Sequence, residues 1–202
     1  MSKQAGNKIA IITGASAGIG QSAAIRVAER GAGVIVTFNS DPYGAEETVS
    51  AIERSGGKAV ALPLDVGRSE SFSDFVDRAT AEMRRLWNRT SFDDLVNNAG
   101  FGQMSMFEDT TEELFDQFHR VLLKGPYFLT QKLLPLLADG GAIVNTTSNS
   151  ALTTGGGVRE ETRRCHPSAG RRQEAFLNVM TKYSGTPADP SGNAWHLSYR
   201  FV

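Results

Sequence analysis

Five short apolar runs, each separated from the next by a stretch long enough for a helix, constrain this 202-residue chain more than any other feature. They fall at Lys8–Thr13, Gly33–Phe38, Ala59–Leu64, Asp93–Asn97 and Ala142–Thr146. Runs such as "IAIIT" and "GVIVTF" are apolar at consecutive positions, not alternating ones. That is the pattern of strands covered on both faces. Helical periodicity fills the intervals at 18–30, 43–56, 70–87 and 110–138. Strands alternating with helices of this length require right-handed crossovers and a parallel sheet. The expected fold is α/β, an open, doubly wound parallel sheet of five strands through residue 146. In "EDTTEELFDQF", Asp109 or Thr110 is expected to cap the fourth helix, with Glu112 or Glu113 closing a capping box.

The texture changes after Ala151. Residues 151–202 carry a formal charge of +3, against −4 for residues 1–150, and hold three of the seven prolines. Their one clear periodicity is "QEAFLNVMTKY", which places Phe176, Val179, Met180 and Tyr183 on one helical face. A packing helix over 173–183 in an otherwise irregular segment is expected. The chain therefore divides into a domain at 1–150 and an atypical tail at 151–202.

Composition excludes several partner classes. A net charge of −1 with 40% apolar residues gives no long-range attraction to nucleic acid or to an anionic membrane. The apolar run in "MSKQAGNKIAIIT" is too short for a signal-peptide core or a membrane span, and a single cysteine, Cys165, allows no internal disulfide. A cytoplasmic location is the expectation. Cys165 and His166 have only His119 and His196 to join them, without recognisable ligand spacing, so no metal site is expected. The arginines at 159–172 are diluted by Glu160 and Glu161 and read as a solvated stretch.

The chemistry begins at Gly14-Ala-Ser-Ala-Gly18-Ile-Gly20, which follows the first strand and opens the first helix. Glycines permit a tight turn and close backbone approach to a pyrophosphate, and a helix N-terminus favours its negative charge. The spacing is Gly-x3-Gly-x-Gly, not Gly-x-Gly-x-x-Gly, and taken alone it fits a structural turn as well. Three further motifs follow in order: "LDV" at 64–66, "NNAG" at 97–100 and "GGAIVNTTSNSA" at 140–151. With "TGASAGIG" at 13–20, their order and spacing resemble the short-chain dehydrogenase/reductase family over residues 1–150.

The resemblance implies a Rossmann-type parallel sheet, seven-stranded in the family and thus C-terminally incomplete here. It implies that Gly14, Ser16, Gly18, Ile19 and Gly20 cradle the pyrophosphate of a dinucleotide. Asp65 and Val66 would flank the adenine, by hydrogen bonding and apolar contact respectively. Asn97, Ala99 and Gly100 would line the ribose, although the asparagines of "NNAG" serve equally to stabilise the sheet. A carboxylate ending the second strand would bond a ribose 2′-hydroxyl and repel a 2′-phosphate. Here that place is taken by Phe38, Asn39 and Ser40, with Asp41 beyond as a turn or N-cap residue before Pro42. Asn39 and Ser40 as neutral donors favour NADP(H) over NAD(H). Ala17 argues the other way, since many NADP-preferring relatives carry a basic residue there.

In the family a tyrosine, a lysine four residues later, a serine and an asparagine on the fourth helix carry hydride exchange with a carbonyl or alcohol. Ser148 matches the serine, and Leu122 stands where the asparagine is expected. No tyrosine–lysine pair is present: four residues beyond Tyr43, Tyr127 and Tyr183 stand Glu47, Gln131 and Pro187. Three readings follow. The chain is an NADP(H)-dependent oxidoreductase of a small carbonyl or alcohol with impaired turnover, a catalytically inactive dinucleotide-binding module, or a non-functional truncated or frame-changed product. The family's homo-oligomer is expected to be disturbed, and Gly155–Arg172 to be disordered.

Overall fold

The computed structural model describes residues 8–103, 105 and 109–146. Five strands form one sheet: β1 (Ile9–Ile12), β2 (Gly33–Phe38), β3 (Ala59–Pro63), β4 (Phe92–Asn97) and β5 (Leu137–Asn145). Their order is β3-β2-β1-β4-β5 and every neighbouring pair is parallel. The Rossmann-type doubly wound sheet expected from the sequence is the fold of these residues.

β1 lies at the centre and all four of its residues are buried. Ile9 and Ile11 enter one core, Ala10 and Ile12 the other, which is why the run has no polar alternation. On the second face pack α1 (Gly18–Glu29) and α2 (Pro42–Arg54), through Ala24, Ala28, Val49 and Ile52. On the first pack α3 (Phe72–Trp87) and the later helix α5 (Gly125–Leu133). Phe72, Phe75, Met83, Leu129 and Leu133 are almost entirely withdrawn from water there. Side chains of this size contribute about 1.5–3 kcal/mol each when fully buried.

The expected single helix over 110–138 is instead divided. α4 (Glu112–His119) passes into a π turn at Arg120–Lys124, then into α5 and a 3-10 turn at Leu134–Leu136. Pro126 has no N–H to give to the carbonyl four residues back, and its ring crowds that carbonyl. The chain widens just before it, where the Gly125 N–H bonds to the Arg120 carbonyl five residues earlier. The cap of α4 is Thr111, not Asp109 or Thr110: its hydroxyl accepts from the Leu114 N–H at 3.3 Å. The residue three places on is thus Leu114, and no Glu closes a box. Glu113 accepts from its own backbone N–H and from the Thr111 hydroxyl, which hold its carboxyl below the ordinary range.

β5 begins at Leu137, earlier than expected, because Leu137 pairs with Phe92 before a bulge. Regular pairing resumes at Ala142 opposite Asp94 and continues to Asn145 opposite Asn97. At the other end of the sheet Asp93 ties two strands together. Its Oδ2 accepts from the Ile9 N–H at 2.8 Å and from Arg89 at 2.7 Å. The tail helix at 173–183, the Gly155–Arg172 segment and Cys165-His166 lie outside the described residues.

Candidate functional site

All five strands run in the same direction, so their C-terminal ends share one edge of the sheet. β1 lies between β2 and β4: the chain leaves it toward β2 and β3, then crosses from β3 to β4 on its other side, so the strand order reverses at β1. A crevice therefore opens above the end of β1, the place where open α/β sheets bind ligands.

Thr13 ends β1 and organises the crevice. Its hydroxyl oxygen accepts from the Asn98 and Ala99 N–H groups, both at 2.9 Å, and its own N–H bonds the Val96 carbonyl. The chain then turns through Gly14 at φ +64° and Gly18 at φ +59°, in the left-handed region where a side chain is strained. A Cβ on Gly14 would sit 2.7 Å from the Ala99 Cα, and one on Gly20 would sit 2.5 Å from the Asn98 Nδ2. The loop is thus closed against the "NNAG" segment, by the Ala99 backbone at Gly14 and by the Asn98 side chain at Gly20. α1 starts with Ala17 at its N-cap, where no side chain accepts from the first-turn N–H groups. Those donors and the helix dipole face the crevice, an arrangement that receives an anion. Ile19 is 71% exposed beside them.

The two asparagines of β4 and its extension divide their work. Asn97 is buried, and its amide donates to Thr130 on α5 at 3.2 Å and to Asn145 on β5 at 2.9 Å. It braces the sheet. Asn98 points the other way: its Nδ2 donates to the Thr13 and Gly14 carbonyls, both at 3.0 Å. Thr146 adds a cross-link, its N–H to the Asn97 carbonyl and its hydroxyl to the Asn98 Oδ1. Asn98, Thr13, Gln21 and Thr48 are absent from the sequence-derived site. The signal for Asn98 was present, since adjacent positions on a strand face opposite sides.

At the end of β2, Asn39 and Ser40 are exposed. Asp41 serves as the N-cap of α2, its Oδ1 accepting from the Gly44 N–H at 2.9 Å, so this carboxylate is engaged in a helix cap. Asp65 follows β3; its Oδ1 accepts from the Gly67 N–H at 2.8 Å and its Oδ2 lies 3.6 Å from Arg68. Val66 is buried beside it, its carbonyl against Gly125. Gly100 faces Leu122 from the π turn, whose Cδ2 would lie 3.0 Å from a Cβ placed there. Ser148 lies outside the described residues. Among the described residues no cluster of His, Cys, Asp and Glu could hold a metal ion, and no helix is long and apolar enough to cross a membrane.

The glycine cradle, with its uncapped helix N-terminus, fits a dinucleotide pyrophosphate. The comparisons agree with that geometry. Residues 8–159 match the family model described as short chain dehydrogenase. An uncharacterized oxidoreductase of Methylorubrum extorquens is 38% identical over 148 residues, covering 73% of this chain and 57% of that protein. Hydroxynaphthalene reductase-like protein Arp2 of Metarhizium brunneum is 31% identical over 201 residues, 94% of this chain and 72% of that protein, so this alignment crosses residue 150. The crystal structure of angucycline C-6 ketoreductase LanV with bound NADP has a TM-score of 0.73 at 32% identity, covering 75% of this chain and 59% of that one. The chain thus spans little more than half the length of the first of these relatives and of the ketoreductase. With most of its length matched by one family model, the chain belongs to the short-chain dehydrogenase family.

Proposed function

We propose that the chain binds NADP(H) in preference to NAD(H), in the manner of an oxidoreductase acting on a small carbonyl or alcohol. The observation that carries this reading is the end of β2, where Asn39 and Ser40 are exposed and the Asp41 carboxylate is taken up by the α2 cap, beside a backbone cradle for the pyrophosphate. Ser16, Gly18, Ile19 and Gly20 would hold the two phosphates on main-chain donors, and Gly14, whose N–H points to the Thr37 hydroxyl at 3.4 Å, would give the loop its tight turn. Asn39 and Ser40 would take the 2′-phosphate, with Asp41 engaged in capping α2. Asp65 and Val66 would border the adenine, and Ala99 and Gly100 the ribose, with Asn97 bracing the sheet beneath. When bound, the cofactor supplies a hydride to a carbonyl carbon or takes one from an alcohol carbon. The chain's own part at that end is to place Ser148 near the substrate oxygen.

A binding module with little turnover is the second reading, favoured by two features. Leu122 presents an apolar side chain to Gly100 where the family resemblance implies an amide. The 202 residues also contain no Tyr-x-x-x-Lys. Loss of a general acid costs about 10²- to 10⁴-fold in rate. Fluorescence titration with NADPH and NADH tests the first reading: NADPH should bind at least several-fold tighter. No binding of either at millimolar concentration sinks it, and tighter NADH binding refutes the roles of Asn39 and Ser40. Turnover with small ketones should be near background and unchanged in Ser148→Ala; a robust rate abolished by that change would restore the full catalytic reading.

A further inference from the structure

A loop that binds an anion through its main-chain N–H groups must dispose of its carbonyls, whose negative ends repel the same anion. In this chain four consecutive carbonyls, Thr13 to Ser16, are engaged by side-chain donors from outside the loop. Asn98 takes the first two at 3.0 Å each. The Thr48 hydroxyl reaches the Ala15 carbonyl at 3.1 Å, and the Gln21 Nε2 reaches the Ser16 carbonyl at 3.4 Å. Gln21 also donates to the Thr48 oxygen at 3.0 Å, closing a ring around Ala15 and Ser16.

Thr48 is fully buried on α2, and its single hydroxyl hydrogen is shared between the Ala15 and the Gly44 carbonyls. Gly44 leaves no room beside the loop: a Cβ there would lie 2.6 Å from the Ser16 carbonyl oxygen. The first turn of α2 is therefore docked directly on the loop, and the Asn39–Ser40 turn leads into that same helix.

We propose that Gln21 and Thr48 are positioning residues for the cofactor. They hold the Ala15 and Ser16 carbonyls on the α2 side, so that the loop presents N–H groups to the pyrophosphate. They also fix the distance between the pyrophosphate cradle and the turn that would receive the 2′-phosphate. This rests on the NADP(H)-binding reading above and adds to it residues that the motif does not contain.

The test uses the full 202-residue chain and NADPH, followed by fluorescence. Thr48→Val keeps the side chain's shape and removes the donor, and Gln21→Leu removes the amide. Each should weaken NADPH binding about tenfold, the order of loss when a carbonyl gives up its partner. Thr48→Ser keeps the hydroxyl and should bind within about twofold of the unmodified chain. Adenosine 2′-monophosphate, which carries no pyrophosphate, should compete equally well against all four proteins. Gln21 is only half-buried, so its variant carries the test if Thr48→Val does not fold. Unchanged NADPH affinity in the folded variants overturns the proposal. So does a Thr48→Ser variant as weak as Thr48→Val, or a matching loss of the monophosphate, which would mean general loosening. Failure of the unmodified chain to bind NADPH instead overturns the reading beneath it.

Discussion

Asp94 sits on β4 with its carboxyl half out of water, facing Lys8 across 4.0 Å. Burial holds the carboxyl above its ordinary value; Lys8 pulls it down, Asp93 next door pushes it up, and the Ala142 N–H lowers it slightly. A raised carboxyl means that the folded state binds the proton more tightly than the unfolded chain does. Its stabilising contribution is present below the unfolded value near pH 4 and is lost as pH rises through the folded one. Asp94→Asn, which keeps an acceptor for Ala142 and has no charge to bury, should therefore be the more stable protein at pH 7. The advantage should shrink to nothing by about pH 3. Urea unfolding at the two pH values checks this. An Asn variant less stable at pH 7 would show that the Lys8 pair outweighs burial. Neighbouring Asp93 is held by other partners: its Oδ2 accepts from both Arg89 and the Ile9 N–H. Two adjacent acids of one strand thus have separate tasks, which the string "FDDLVN" does not separate.

The π turn is the clearest case of an element shaped by a contact distant in sequence. Gly125 lies where a Cβ would collide with the Val66 carbonyl, and at 3.0 Å from the Arg120 carbonyl. Gly125→Ala must push α5 off the strand end that carries Asp65 and Val66. Overpacking of this kind costs about 1–3 kcal/mol. Thermal unfolding should show that loss, together with weaker NADPH binding as Val66 shifts. A variant as stable as the parent would mean that α5 slides without resistance. The five strands and the first three helices were legible in the sequence because each repeats a simple period over many residues. The break in the fourth helix was not, because the periodicity of "EELFDQFHRVLLKGPYFLTQKLL" hardly registers one widened turn. Pro126 was the available signal. Likewise Thr48 and Gln21 belong to no motif; their roles exist only once α2 lies against the loop. Asp41 was readable as a cap because Asx-Pro at a helix start has a purely local logic.

On the scale of the whole molecule, the candidate site is split by provenance. The segments proposed for the pyrophosphate, the 2′-phosphate and the adenine follow β1, β2 and β3. Ser148 lies beyond β5, which among the described residues pairs only with β4. On the proposed reading, the described part would hold the adenosine diphosphate half of the cofactor. Binding to the folded state alone raises stability by RT ln(1 + [L]/Kd), about 2.7 kcal/mol at one hundred times Kd. For a chain of this size that corresponds to a rise of roughly 5–10 °C in Tm. NADPH near that concentration should produce such a rise, and NADH at the same concentration a smaller one. ADP-ribose 2′-phosphate, which lacks the nicotinamide, should reproduce most of the NADPH effect, because the contacts proposed for it all lie before residue 101. If the fragment gave less than half the rise, much of the binding free energy would reside at the nicotinamide end. Residues beyond 146 would then complete the cofactor site, and the chain would be a fuller member of its family than its missing tyrosine–lysine pair implies.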